Sequence, residues 1–266
     1  MFKTRLISGI ILVAAALALI ITGGEILLAA SCMISLIGMY ELYRVYQIEK
    51  TPAAVIGYAA AVIYYVDQYV HMLPDVMLYV IGLLIFLLAA YVLAYPKYHA
   101  SQIMAVFFGV FYVAVMLSCV WQARMMEQGA YIVWLIFLCS WGCDTCAYCV
   151  GVKFGKHKMS PVLSPKKSVE GAVGGLAGTF LLTALYAYAF RVQMHLSAAQ
   201  ILVLAAISTA GALISMIGDL AASAVKRNYE IKDYGTLIPG HGGILDRFDS
   251  VIFTAPVIYY LARYLL

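Results

Sequence analysis

Nine apolar runs recur along this sequence, at about 6–22, 26–40, 53–66, 76–95, 102–122, 130–150, 171–190, 197–222 and 250–266. Most come close to the roughly 20 residues that a helix needs to cross the ~30 Å hydrocarbon layer of a bilayer. They are continuously apolar rather than alternating, which excludes a transmembrane β-barrel. Composition agrees, since 65% of the 266 residues are apolar and 11% charged, against the roughly 25% charged share of soluble domains. A water-soluble globule of this size has too much surface to hide so much apolar material. A soluble enzyme, a disordered regulator and a nucleic-acid-binding domain are therefore excluded. The chain reads as an all-α protein, a polytopic transmembrane helical bundle of about nine spans. Residues 1–140 read as N-terminal transmembrane helices, and 141–266 as C-terminal helices with the polar loops, in one integral membrane unit.

Charge placement tests the count of spans. The first run follows Lys3 and Arg5 and in that respect resembles a signal peptide, but no A-x-A cleavage site follows and it is read as a retained helix. With the N-terminus in the cytosol, the cytosolic segments hold Lys3, Arg5, Arg44, Lys50, Lys97, the five lysines from Lys153 to Lys167, and Lys226, Arg227, Lys232 and Arg247. Only Arg124, Arg191 and Arg263 of the 17 basic residues fall on the outer side. That asymmetry is the signature of an N-in, C-out topology. It also means that the formal net charge of +4 reflects topology rather than a partner. Tyr64, Tyr65, Tyr69 and Tyr79 flank the ends of spans and are expected to anchor at the membrane interface.

Few ionisable residues lie inside the runs. Asp144 sits near the cytosolic end of the sixth run and Asp219 near that of the eighth, each roughly 10 Å deep at 1.5 Å per residue. An unpaired carboxylate in hydrocarbon costs several kcal/mol, so each should face a partner, a metal or a wet cavity. Asp219, Ser223 and Lys226 share one helical face, as do Asp144 and Tyr148. No ladder of charge leads outward from them, so a site open to one side fits better than a transport pathway.

The last long cytosolic loop, 223–249, gathers four kinds of chemistry. Lys226, Arg227 and Lys232 supply fixed charge for phosphates. The stretch Pro239-Gly-His-Gly-Gly243 lets backbone approach a ligand closely. His241 brings an imidazole, and Asp246 and Asp249 lie on one face at a helix start, where ionised carboxylates suit Mg²⁺.

These residues resemble the phosphatidate cytidylyltransferase family, the CDP-diacylglycerol synthases. Its motif is filled by Ser223, Val225, Lys226, Arg227, Lys232, Asp233, Gly235, Pro239, His241, Gly242, Gly243, Asp246, Arg247, Phe248 and Asp249 without departure. A second stretch is similar to the family at Asp144-Thr-Cys-Ala-Tyr148, Gly151, Phe154-Gly-Lys156, Ser164-Pro-Lys-Lys-Ser168 and Glu170-Gly171. There Ser168 stands where Thr is usual, Val169 where Trp is common and Val152 where Arg is common. The resemblance covers about 140–250.

The resemblance implies transfer of a cytidylyl group from CTP to phosphatidic acid, giving CDP-diacylglycerol and pyrophosphate. It implies Mg²⁺ held by Asp219 and Asp246, with Asp249 and Asp144 as further ligands or supporting partners, and allows K⁺ as a second cation. Lys226 and Arg227 would hold phosphates, Lys166 and Lys167 would clamp pyrophosphate or the lipid headgroup, and His241 would contact substrate rather than act as a base. Ser223, Lys232, Gly242, Gly243 and Arg247 complete the expected substrate-binding set. The setting expected is a bacterial inner membrane with the site facing the cytosol, among membrane lipids, with no nucleic-acid partner; a homodimer is compatible. The alternatives are a CTP-dependent lipid-alcohol kinase and, from another class, an ion-coupled transporter.

Two signals read as packing. Cys139, Cys143, Cys146 and Cys149 lie in an apolar span without a nearby His cluster and are taken as small buried hydrophobes rather than metal ligands. Gly171, Gly174, Gly175 and Gly178 have the spacing of a small-residue helix contact.

Overall fold

A computed structural model of the chain describes residues 2–265, with the side chains of 7–264. Lys3 and Arg5, on which part of the charge pattern rests, have side chains outside that described set. The order of elements is α1 (Phe2–Thr22), α2 (Gly24–Val45), α3 (Pro52–Val70), α4 (Val76–Leu93), α5 (Ala100–Met125), α6 (Gly129–Phe154), the strands β1 (Lys158–Ser160) and β2 (Ser164–Ser168), α7 (Val169–Ala189), α8 (Ala198–Asn228) and α9 (Leu245–Leu265). Among the described residues, α2 to α8 are long and apolar enough to cross a membrane. The apolar part of α1 described here is shorter, Ile7–Thr22, and α9 opens on Asp246, Arg247 and Asp249, which lowers its apolar character. The protein is an all-α integral membrane protein.

Several helices run past their apolar stretches. α6 continues to Phe154 and α8 to Asn228, because backbone hydrogen bonding does not stop where hydrocarbon does and the added turns carry Lys153, Lys226 and Arg227. Asp144 and Asp219 thus lie about 15 Å and about 13 Å from their helix ends at 1.5 Å per residue. Side chains set where helices begin. Thr51 accepts a hydrogen bond from the Ala54 amide, Asp75 from Met77, Ser168 from Gly171 and Ser197 from Gln200, satisfying amides that have no intrahelical partner. The Ser168 cap needs only a hydroxyl, so the change from Thr keeps it.

Two helices are not regular throughout. α5 passes through a π-helical turn at Val110–Val115, and α6 through another at Leu138–Gly142. Each turn feeds the polar part of the molecule, the first through Tyr112 and the second directly into Cys143 and Asp144.

Glycine spacing explains how α7 meets its neighbours. A methyl group on Gly174 would fall 2.5 Å from Val150, one on Gly178 2.5 Å from Cys146, and one on Gly175 3.0 Å from both Cys143 and Met216. The small-residue face therefore brings α7 against α6 and α8, as its spacing indicates. Cys139 and Cys143 are buried there, Cys146 is half-buried and Cys149 exposed.

The central core is formed by Met39, Leu42, Tyr43, Val106, Ile136, Leu245 and Ile258, all fully buried. The expectation that Tyr64, Tyr65 and Tyr79 anchor at the interface is overturned. All three are buried, with the Tyr65 hydroxyl 2.8 Å from Ser35 Oγ, Ser118 Oγ donating to the Tyr64 hydroxyl at 3.4 Å, and Tyr79 donating to the Ala60 carbonyl at 3.1 Å. Their hydroxyls find partners inside the bundle, which removes the need for an interfacial position. Tyr69 is exposed and donates to Glu25 at 2.5 Å.

Candidate active site

The loop between α8 and α9 is folded around one carboxylate. Asp246 is buried, its Oδ1 accepting from Lys226 Nζ at 2.9 Å and its Oδ2 from the backbone amides of Tyr234 and Gly243 at 2.8 and 2.9 Å. Helical geometry places Lys226 at the end of α8 to make this contact, and the first turn of α9 carries the acid. Tyr234 is buried beneath the loop and donates its hydroxyl to the Ala222 carbonyl at 3.0 Å; burial pushes its phenol above the ordinary pKa and keeps it a donor.

A residue that the sequence pattern does not single out holds the loop from below. Glu41 of α2 is buried and accepts from the amides of Ile244 and Leu245 at 3.1 and 2.8 Å. Its carboxylate thus sits at the N-terminus of α9, where the helix dipole favours negative charge. A side chain at Gly243 would come within 2.4 Å of the Glu41 carboxylate, so glycine there is a condition of close approach. Gly242 has φ +87°, a conformation open chiefly to glycine. One turn along α2, Arg44 donates to the Tyr234 carbonyl at 2.8 Å. Glu41 and Arg44 fall at the polar end of the second span, where charges ordinarily mark the membrane interface.

Three further acids lie together on neighbouring helices. Asp219 of α8 forms an ion pair with Lys167 of β2. Asp144 of α6 has Lys167, Asp219, Arg247 and the Ser250 hydroxyl as its polar neighbours. Asp249, which is buried, has Asp219, Lys226 and Arg247 near it, and its Oδ1 accepts from the Ser250 amide at 2.8 Å. β1 and β2 pair antiparallel as a hairpin, and the residues just before it are tied to α7: Glu170 accepts from the Lys156 amide at 3.0 Å and lies 2.6 Å from His157 Nδ1.

Three cavities adjoin these groups. The first, about 530 Å³, is lined by Asp144, Tyr148, Lys166, Lys167, Ser168 and Asp219 among others. The second, about 210 Å³, includes Asp144, His241, Asp246, Arg247 and Asp249. The third, about 470 Å³, opens among the loop residues Lys232, Asp233, Gly240, His241, Gly242 and Arg247. Asp144 is common to the first two, and His241 and Arg247 to the second and third, so the carboxylates stand between a lysine-lined chamber and a glycine-rich one.

Most of the expected residues meet here. Ser223 is buried on α8 between Asp219 and Lys226. His241 is half-buried, with Nδ1 2.9 Å from Ser8 Oγ, which also donates to the Pro239 carbonyl at 3.0 Å; the first helix is thereby joined to the loop. Arg227 departs from the group, being exposed, donating to the Ile231 carbonyl at 3.4 Å and lining none of the three cavities.

Asp219 and Asp246 do not share a partner: each is held by its own lysine. Among the described residues no three His, Cys, Asp or Glu side chains are gathered as a preformed metal cage. That donor set fits Mg²⁺ nonetheless, because Mg²⁺ commonly takes one or two carboxylates and completes its shell with water and substrate phosphates. Half-buried Asp219, facing the first cavity, has the better access; Asp246 already accepts three hydrogen bonds. Arg247 Nε is buried without a partner among the described residues, a donor suited to an anionic ligand.

Comparison with known proteins places this arrangement. The family model described as the cytidylyltransferase family matches residues 3–265. The phosphatidate cytidylyltransferase of Staphylococcus saprophyticus is 31% identical over 259 residues, 96% of this chain and 97% of that protein. That of Staphylococcus aureus is 31% identical over 263 residues with the same coverage. The phosphatidate cytidylyltransferase of Thermotoga maritima is 37% identical over 139 residues, 52% of each chain. Matched over nearly its whole length, the chain belongs to the cytidylyltransferase family.

Proposed function

We propose that the protein transfers the cytidylyl group of CTP to phosphatidic acid, forming CDP-diacylglycerol and releasing pyrophosphate. The observation that carries this reading is the meeting of Asp144, Asp219, Asp249, Lys167 and Arg247 along the cavities, with Lys226 beside Asp246 and Asp249, where the polar ends of the helices meet apolar spans.

The chemistry asks little of a protein nucleophile. The lipid phosphate is already an anion near neutral pH, so one of its oxygens attacks the α-phosphorus of CTP directly. A new P–O–P linkage forms while the bond from the α-phosphorus to the α–β bridging oxygen breaks, and pyrophosphate leaves with that electron pair. The barrier lies mainly in bringing two anions together and in aligning them. Lys166, Lys167, Lys226, Lys232 and Arg247 bind the phosphates and offset their repulsion. The glycine-rich loop lets amides approach the nucleotide, and His241, oriented through Nδ1 by Ser8, contacts substrate. Mg²⁺, when bound at Asp219 with Asp144 and Asp249 nearby and Asp246 securing the loop, supplies further charge neutralisation; K⁺ is a candidate second cation.

The reading places the protein in a bacterial inner membrane with the cavities facing the cytosol. The hairpin and the loop project from the end rich in Lys and Arg, whereas Arg124 and Arg263 end their helices at the opposite side, which supports this orientation.

Purified protein with phosphatidic acid and Mg²⁺ tests the reading with two labels. Label on the α-phosphate of CTP is expected in the lipid product, and label on the γ-phosphate in pyrophosphate. Label passing from the γ-position into lipid, with CDP released, would instead establish a lipid kinase.

A further inference from the structure

Beside the carboxylates lies an apolar cavity of about 410 Å³ for which the reaction above gives no role. Its walls include Phe108, Phe111, Tyr112 and Met116 of α5, Val225 of α8 and Phe253 of α9. The wall positions are those of the active site shifted by a few residues: Val225 adjoins Lys226, and Phe253 stands one turn beyond Asp249. The π-helical turn Val110–Val115 supplies much of the α5 wall, and such turns recur at functional sites.

One buried hydroxyl belongs to a residue of this apolar wall. Tyr112 is buried, its ring stacked on Phe108 at 4.9 Å and met edge-on by Phe253 at 5.8 Å. Its hydroxyl has no hydrogen-bond partner among the described residues, an uncommon and costly condition for a buried hydroxyl. Asp219 and Asp249 are its charged neighbours. Phe108 of this wall is exposed in the first half of a membrane-spanning helix, so that side of the cavity faces hydrocarbon. From Phe108 to Met116 it extends about 12 Å along α5 at 1.5 Å per residue.

An apolar slot beside the reacting groups, with one buried and unpartnered donor midway along its α5 wall, matches a hydrocarbon chain joined to an oxygen-rich head. We infer that this cavity receives an acyl chain of the lipid substrate, and that the Tyr112 hydroxyl donates to the ester carbonyl at the head of that chain. The inference rests on the cytidylyl-transfer reading and adds a determinant of substrate placement and chain-length preference. Tyr112 acts as a positioning residue, since it touches the lipid and not the reacting phosphorus.

Photolabelling of the wild-type protein in proteoliposomes is the direct test. Phosphatidic acid bearing a diazirine in one acyl chain should give adducts at Phe108, Phe111, Met116 or Phe253. Excess unlabelled phosphatidic acid should suppress them, and excess phosphatidylcholine should not. Adducts found only on outward-facing side chains such as Val92 and Leu93, or suppressed equally by both lipids, would overturn the inference, the second outcome meaning that bulk membrane lipid fills the slot. Kinetics give an independent measure. Ala221 also lines the cavity, and Ala221→Phe, which fills the slot from α8, should lower kcat/KM about tenfold for dioleoyl phosphatidic acid but less than about twofold for the dihexanoyl form, the larger effect corresponding to lost burial of about two methylenes. Equal losses for both lipids, or none for either, would contradict it. Tyr112→Phe should raise KM for the lipid with kcat retained; a fall in kcat alone would count against a positioning role. Absence of CDP-lipid from the wild-type protein would instead refute the cytidylyl-transfer reading, while the photolabel still decides whether a chain occupies the cavity.

Discussion

Asp246 shows how one side chain can be structural and chemical at once. It offsets Lys226 and satisfies two loop amides. Asp246→Ala leaves a largely buried ammonium and those amides unpaired, and loss of one partner from a buried ion pair costs about 3–5 kcal/mol. A marked fall in melting temperature in detergent is therefore expected along with loss of turnover. Asp246→Asn, which still offers an acceptor to the amides, should melt between the two. Glu41 allows a related test away from the reacting groups. Glu41→Ala removes two charge-assisted hydrogen bonds, each worth about 1.5–3 kcal/mol, and should destabilise the loop and lower activity, with Glu41→Gln milder in both. At this scale the sequence was legible where chemistry recurs in a motif, as at Asp246 or His241. It was not legible at Glu41 or Tyr112, whose roles arise from contacts about 200 and 140 residues away along the chain, and whose local settings look like an ordinary span end and an ordinary span interior.

At the scale of elements, apolar length revealed the helices but not their irregularities. Nothing in the composition of Val110–Val115 or Leu138–Gly142 distinguishes a π turn from a regular one, because the extra residue is accommodated by tertiary packing rather than by local preference. The hairpin was equally hidden: Ser164–Ser168 contains Pro165 and two lysines, and it pairs with β1 only because α6 and α7 bring its ends together. The glycines of α7 could be read from spacing alone, since only small residues allow that approach. Gly174→Val should accordingly force α7 away from Val150 and destabilise the protein by about 1–3 kcal/mol, the usual cost of overpacking. Thermal melts of the purified variant measure this, and an unchanged melting temperature would mean that α6 and α7 are less closely packed than described.

For the whole molecule, nine helical rods among the described residues deliver acids from α6, α8 and α9 to one region, while α2 and α1 support the loop that closes it. Run lengths predicted the helical bundle, and the distribution of basic residues leads to an expected polarity; burial of Tyr64, Tyr65 and Tyr79 was not predictable, because a tyrosine near a span end looks the same whether it faces a headgroup or another helix. Polarity itself is testable by attaching single cysteines at Lys232 and Glu127 in cysteine-free protein and labelling intact cells with an impermeant thiol reagent. Reaction is expected at position 127 and not at 232. The central claim is that Asp219, facing the lysine-lined cavity, takes part in the transfer itself. The most direct measurement is turnover of α-labelled CTP with phosphatidic acid by folded Asp219→Ala protein, its integrity checked by melting temperature. A loss of about a hundredfold or more is predicted with folding preserved; near wild-type turnover would contradict the account.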